Sequence, residues 1–346
     1  MLNAKQIEEI REHLEKAQNP VFYYDNDADG LCSFLILRRA LGRGKGVVIR
    51  SYPGLDKGYA RRTEELGADY VFVLDKPELT REFVEEISKM GLPLVWIDHH
   101  DVKSEDYSKE FTNFFSYKGD KPVTYLCYSI MGKKEDLWLA VIGCVADHYL
   151  PDFAEEFAKK NKELWTKNVK EPFDVYYKTE LGKVAQALNF GLKDSITNVV
   201  RMQKFLINCK IPQEVLEEVA GNIDFRKKYK DLKKKYESLI EKAQECISGR
   251  LLFFEYGGDT SISAEIANEL SYRYRNLYVA VAFVKGGITN ISLRGKNVKK
   301  ILEKAFKRIE GTGGGHNDAV GARIKTEDLN KFKEELENEI GVSERT

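Results

Sequence analysis

The sequence predicts an α/β protein in three parts: a doubly wound parallel sheet over residues 1–150, a helical connector over 151–249, and a smaller α/β domain over 250–346. Three observations carry this. Strand-length apolar runs alternate with helical patterns up to about residue 150, helical periodicity alone prevails to about 250, and the alternation then resumes. At 346 residues the chain is long enough for two cores, and no internal repeat or low-complexity tract interrupts it.

The opening segment, MLNAKQIEEIREHLEKAQNP, is amphipathic and charged and lacks the apolar stretch of a signal peptide, so the expected compartment is the cytoplasm. Strands are expected at 21–24, 47–50, 70–74 and 94–97, with helices near 33–41, 60–66 and 80–90 between them. Farther on, Phe225, Tyr229, Leu232, Tyr236, Leu239, Ala243 and Cys246 step by 4, 3, 4, 3, 4 and 3. Such a seven-residue repeat suits a coiled-coil seam that would make a homo-oligomer through residues 222–248. It equally suits a connector helix packing one stripe onto its own chain. Beyond 250 the pattern reads as a strand at 250–256, a helix at 263–273, and a hairpin of 278–284 and 288–294 across Lys285-Gly286-Gly287.

Composition excludes several classes. No run approaches the eighteen or so apolar residues of a membrane span, so no membrane partner is expected. Lys+Arg and Asp+Glu both total 55, which leaves only local basic patches for a nucleic acid. The five cysteines, Cys32, Cys127, Cys144, Cys209 and Cys246, are widely spaced with no CxxC pair, which argues against disulfides and zinc and for reduced, buried thiols.

Three of the expected strands run into a carboxylate: VFYY into Asp25, YVFVL into Asp75, and LVWI into Asp98. In an open parallel sheet those ends share one edge, where ligands bind. Around the first, Asp25-Asn26-Asp27-Ala28-Asp29-Gly30 packs three carboxylates into five residues, which repel one another unless cations hold them. An acidic turn capping the next helix would also explain this segment. The run Asp98-His99-His100-Asp101 combines a metal ligand, an orienting acid and a proton donor, and points to metal chemistry more than to structural histidines. Asp147 closes the apolar run LWLAVIGCVAD; by itself it reads as a solvent-facing or capping residue more than as a ligand. Near the C-terminus, Gly313, Gly314 and Gly315 before His316 form a run whose successive amides can cradle a phosphate, with Arg294 as the accompanying cation.

In order along the chain, DNDADG, the strand-end Asp75, the DHH of 98–100 and the VAD of 145–147 resemble the motifs of the DHH phosphoesterase superfamily. Gly313-Gly314-Gly315-His316-Asn317-Asp318-Ala319-Val320-Gly321 is similar to the signature of the DHHA1 domain that accompanies RecJ-like nucleases and nanoRNases. The resemblance implies two divalent ions, manganese or magnesium, bridged by Asp75. One ion would also take Asp27, His99 and Asp147, and the other Asp25. Relatives that complete the second shell with an upstream histidine have it where this chain has Val21, so Asp29, water or substrate would fill that place. His100 would contact the phosphate or the leaving group, with Asp98 orienting an imidazole. Arg294, Gly313, Gly314, Gly315 and His316 would hold the substrate. The layout is similar to archaeal RecJ-like enzymes and their Hef-associated subgroup. It implies a 3′ to 5′ exonuclease on single-stranded nucleic acid with a Hef-type fork helicase as partner. Small-substrate members, such as oligoribonucleases, pAp phosphatases and cyclic dinucleotide phosphodiesterases, share the same chemistry, and a binding module without catalysis is the third reading.

Overall fold

All four strands expected in the first 150 residues form, and the helices between them pack back on both faces of the sheet. The computed structural model describes residues 1–50, 54–100, 107–166 and 168–343. The first elements are α1 (Ala4–Lys16), β1 (Pro20–Asp25), α2 (Ala28–Leu41), β2 (Lys45–Ile49), α3 (Lys57–Glu65), β3 (Tyr70–Leu74), α4 (Arg81–Lys89), β4 (Leu94–Asp98) and β5 (Phe114–Lys118). All five strands are parallel, in the order β2-β1-β3-β4-β5. Alternate residues feed two separate cores, as a sheet covered on both faces requires. Phe22, Tyr24, Phe72, Leu74, Val95 and Ile97 enter one, and Val21, Tyr23, Val71, Val73, Leu94 and Trp96 the other. Local capping starts the helices: Asn3 and Gln6 form a capping box on α1, and the Asp27 and Thr80 side chains accept amides at the starts of α2 and α4.

The helical middle does not stand apart. After β5 come α5 (Val123–Met131), α6 (Leu137–Ala146), α7 (Ala154–Lys160), α8 (Pro172–Lys178), α9 (Glu180–Leu192), α10 (Ile196–Asn208), α11 (Gln213–Leu216) and α12 (Ile223–Gln244). The chain divides into Met1–Tyr229 and Lys230–Thr346, so no break falls at residue 150. The physical reason is that Val184, Leu188, Leu192, Val199, Met202 and Leu206 bury their side chains in the same core as α2 and α6. A half-buried cation adds to this. Arg39 gives Nε to Asp136 Oδ1 at 2.7 Å and a terminal nitrogen to the carbonyls of Leu206 and Cys209, at 2.9 and 2.5 Å.

Within α12, Phe225, Leu232, Tyr236, Ile240 and Ala243 are buried in this single chain. Phe225 packs into the core of the first unit, and Tyr236 donates a hydrogen bond to Glu269 of the second. Most of the seven-residue stripe is thus covered as in a connector helix, while Leu239 is half-exposed and Cys246 exposed. The other four cysteines are free and buried.

The second unit continues with β6 (Ile247–Ser248), β7 (Leu251–Gly257), α13 (Ser263–Arg273), β8 (Tyr278–Lys285), β9 (Ile288–Arg294), α14 (Val298–Ala305), β10 (Gly311–His316), β11 (Ala319–Lys325) and α15 (Leu329–Ser343). Its mixed sheet runs β10-β11-β9-β8-β7-β6, parallel only between β7 and β8. Residues such as Phe253, Ala280, Leu293 and Val320 pack there against Ile301, Leu302, Phe332 and Leu336 of α14 and α15. Among the described residues no helix is long and apolar enough to cross a membrane.

Candidate metal centre

The chain runs from β1 outward to β2 and then returns to the other side of β1 for β3, β4 and β5. The reversal opens a crevice beyond the ends of β1 and β3, the place where such sheets bind ligands. Tyr24 pairs with Leu74 and Leu74 with Ile97, so Asp25, Asp75 and Asp98 leave the sheet in one row. Asp75 N–H donates to the Ile97 carbonyl at 3.0 Å. Its φ of 59° puts Asp75 in the left-handed region, a conformation that Asp tolerates better than most side chains and that gathers at functional sites.

His99 Nε2 lies 3.4 Å from Asp75 Oδ1 and 3.6 Å from Asp147 Oδ2. Asp147 comes from the C-terminal cap of α6, half the domain away in sequence. Among the described residues, two sets of ligand atoms fall within 4.8 Å of one another, Asp75–His99–His100 and Asp29–His99–Asp147. His100 is aimed differently: its Nδ1 lies 2.8 Å from Asp98 Oδ1, and its backbone N–H donates to Asp98 Oδ2 at 3.0 Å. Asp98 therefore orients the His100 imidazole through Nδ1. Asp101 lies outside the described residues.

The two remaining acids of the first motif do local work as well. Asp27 caps α2, accepting Gly30 N–H at 2.9 Å. Asp29 is 1% exposed and accepts the backbone amides of Val123 and Thr124 at 2.9 and 2.7 Å, which ties the start of α5 to α2. Thr124 in turn meets Gly143 of α6, where even a methyl group would stand 2.2 Å from its hydroxyl oxygen. This three-helix lock delivers Asp147 to the sheet edge.

Burial and mutual repulsion press on the carboxylates together. Desolvation first, and neighbouring acids second, raise the pKa of Asp27 and Asp75, the latter well above the usual carboxylate range. The same causes move Asp29 to about 7 and Asp147 to about 9. His100 loses basicity to burial, yet the Asp98 hydrogen bond and the charges of Asp98, Asp27 and Asp25 raise its pKa overall. Asp75 Oδ1 is buried and accepts no hydrogen bond among the described residues. A buried, unsatisfied carboxylate oxygen facing imidazole and a second acid is costly to the fold alone and fits a hard divalent cation. Asp75, His99 and Asp147, with Asp29 beside them, are the residues that would hold it.

Asp25 is placed otherwise. Its Oδ1 is 3.1 Å from Nζ of Lys76, a buried lysine that sequence reasoning missed although it directly follows Asp75. Gly30 was also missed as a packing residue: a Cβ there would stand 2.6 Å from the Asp25 carbonyl oxygen. The only signal for either was adjacency to an acid already singled out.

In the second unit the glycine run is a strand and not a loop of successive amides. Gly313 and Gly315 pair with Ala322 and Val320 of β11, and Cβ atoms would stand 2.4 Å from Gly321 O and 2.5 Å from Ala319 O. These glycines thus permit close strand approach. As β10 is an edge strand, its outward amides alternate instead of clustering. His316 pairs with Ala319 and Ala319 with Arg294, so all three stand in one row of the sheet. Arg294 is steadied by Asn268, which accepts from Nε at 2.6 Å.

Two family descriptions match the chain: the DHH family, N-terminal domain, over residues 21–155, and the DHHA1 domain over residues 233–341. Among solved structures, the chain is similar to RecJ of Thermus thermophilus in complex with Mn2+, with 14% identity and a TM-score of 0.66 over 96% of this chain and 53% of that one. It thus spans about half the length of that protein. It is also similar to exonuclease RecJ bound to manganese, at 16% identity and a TM-score of 0.62, covering 97% of this chain and 94% of that one. An exopolyphosphatase-related protein from Bacteroides fragilis follows at 15% identity and a TM-score of 0.54, covering 96% and 95%. At such identities the likeness is one of fold. No curated protein sequence matches the chain.

Proposed function

We propose that the chain, which matches the DHH family, N-terminal domain, and the DHHA1 domain, is a metal-dependent phosphodiesterase of the DHH/DHHA1 superfamily. Within that class we assign it as a single-strand-specific exonuclease, running 3′ to 5′ on DNA and accepting RNA. The observation that carries the hydrolase reading is the buried, unsatisfied Asp75 Oδ1 with His99 Nε2 3.4 Å away at the sheet's ligand-binding edge. The exonuclease assignment, its polarity and a Hef-type helicase as partner rest on the resemblance in motifs and layout.

A divalent ion bound there supplies a lowered pKa for water and a clamp on phosphate oxygens. The side chains do the rest. Asp98 holds the His100 imidazole by its Nδ1, so that Nε2 can donate to a phosphate oxygen or deliver a proton to the departing hydroxyl oxygen. The raised pKa of His100 favours the proton-bearing form that this role requires. Arg294 and His316, in one row of the second sheet, offer charge and a ring nitrogen to the substrate's phosphate.

The test is a manganese-dependent assay on end-labelled single strands, run beside duplex, dinucleotides and pAp. A ladder shortening from the 3′ end of single strands only is the expected result. Turnover confined to dinucleotides or pAp would replace the exonuclease assignment with a small-substrate one. No turnover on any of them, with manganese bound, would leave a binding module.

A further inference from the structure

We propose that Lys76 supplies to Asp25, as a built-in ammonium, the positive charge that a second divalent ion would bring, so that each active site holds one tightly bound ion. The inference rests on the phosphodiesterase reading and concerns how its site is charged. Lys76 is 5% exposed, and its Nζ lies 3.1 Å from Asp25 Oδ1. Lysine is rarely buried to this extent unless paired, because removing its charge from water is costly. Its backbone is fixed too: the Lys76 carbonyl accepts Trp96 Nε1–H at 2.8 Å in a buried bond. The turn that ends β3 thus carries the central ion ligand, Asp75, and the ammonium on consecutive residues.

The fit of a second ion fails on both sides of Asp25. Val21, which stands where a histidine would complete the second shell, is fully buried in the apolar core and offers no ligand atom. The carboxylate itself already has a cation. Among the described residues, the ligand sets close enough to share one ion draw on Asp75, His99, His100, Asp29 and Asp147, and none includes Asp25. An ammonium has three donors and no Lewis acidity, so it can neutralise Asp25 and grip a phosphate oxygen but cannot activate water. Water activation then falls to the single ion at Asp75.

The experiment counts ions on the full chain. Manganese is titrated into metal-free protein by calorimetry, and the saturated sample is examined by elemental analysis and electron paramagnetic resonance. One Mn2+ per chain, with the spectrum of an isolated ion, is expected for the wild type. Lys76→Met frees the Asp25 carboxylate and should take up a second ion, more weakly than the first because Val21 still offers no ligand, with the broadened spectrum of a coupled pair at saturation. Asp25→Asn should keep the single ion, because Asp25 is not its ligand. Two ions in the wild type would overturn the inference and leave the phosphodiesterase reading standing, as would loss of the ion in Asp25→Asn or a count of one in a folded Lys76→Met. No ion at all would overturn the metal-dependent reading and the inference with it.

Discussion

Replacing Gly30 with alanine tests whether the sheet edge and the first turn of α2 must touch for the site to work. In a helix the change ordinarily stabilises by about 1 kcal/mol. Here the new Cβ would stand 2.6 Å from Asp25 O and 2.7 Å from Asp25 N, where ordinary contact begins at 3.4 Å. Both are backbone atoms of β1, so no side chain can rotate away. The strand and the helix must part by roughly 0.8 Å. Overpacking of this kind costs about 1–3 kcal/mol, and it displaces Asp29, next to Gly30 in α2, and the N-cap Asp27 relative to Asp75. Misplacement of a reacting group by about 1 Å costs on the order of 100-fold in rate. Gly30→Ala is therefore expected to lose about 100-fold in kcat/KM on end-labelled single strands, with a fall of several degrees in Tm. Gly42→Ala is the control. It sits at the C-cap of the same helix at φ 72° with nothing within 4 Å of its Cβ, so it should cost stability through backbone strain and leave activity intact. Wild-type kcat/KM in Gly30→Ala, or equal losses in both variants, would refute the geometric argument.

Other consequences are as concrete. Asp75→Asn keeps the side-chain shape and tolerates φ 59°, so it should raise the Tm of metal-free protein by removing a carboxyl group whose ionisation burial and neighbouring acids oppose, while abolishing both hydrolysis and the manganese-induced rise in Tm; scanning fluorimetry and the strand assay check the two halves. Metal-free protein should lose stability as pH rises: acids whose folded pKa exceeds the unfolded value bind more protons when folded, so their contribution is present near pH 4 and is lost through about 7 for Asp29 and about 9 for Asp147. Asp29, moved from 3.8 to about 7, accounts for a loss on the order of 4 kcal/mol at pH 8. Denaturant melts in chelator at pH 5.5 and 8.5 should therefore differ, and manganese should narrow the gap; a flat profile in chelator would count against the clustered acids. Arg39→Ala leaves Asp136, 1% exposed, without its cation, and should destabilise by about 3–5 kcal/mol in urea titration while kcat per folded molecule is kept.

Local pattern and tertiary context divided the labour unevenly. Four parallel strands were legible because each is a short apolar run, and three of them are broken by a carboxylate, a signal contained within about six residues. The fifth, Phe114–Lys118, mixes buried Phe114 and Tyr117 with half-buried and exposed positions at the sheet's edge, and its pairing with β4 is what makes it a strand. The glycines of 313–315 have poor strand propensity and read as a loop. They become β10 because β11 lends them hydrogen bonds and because a side chain would collide with its backbone.

The same division runs through the site. Residue order alone singled out Asp25, Asp27, Asp75, Asp98, His99, His100 and Asp147 as candidate site residues, since carboxylates and imidazoles at strand and helix ends have few structural uses in such density. Which of them meet was decided by the fold. Asp29 is bound to the amides of α5, His100 is turned toward Asp98, and Asp25 faces an ammonium 51 residues further along the chain. Neighbours of that kind follow from strand order and helix packing, where side chains far apart in sequence share one edge, and no local pattern encodes them.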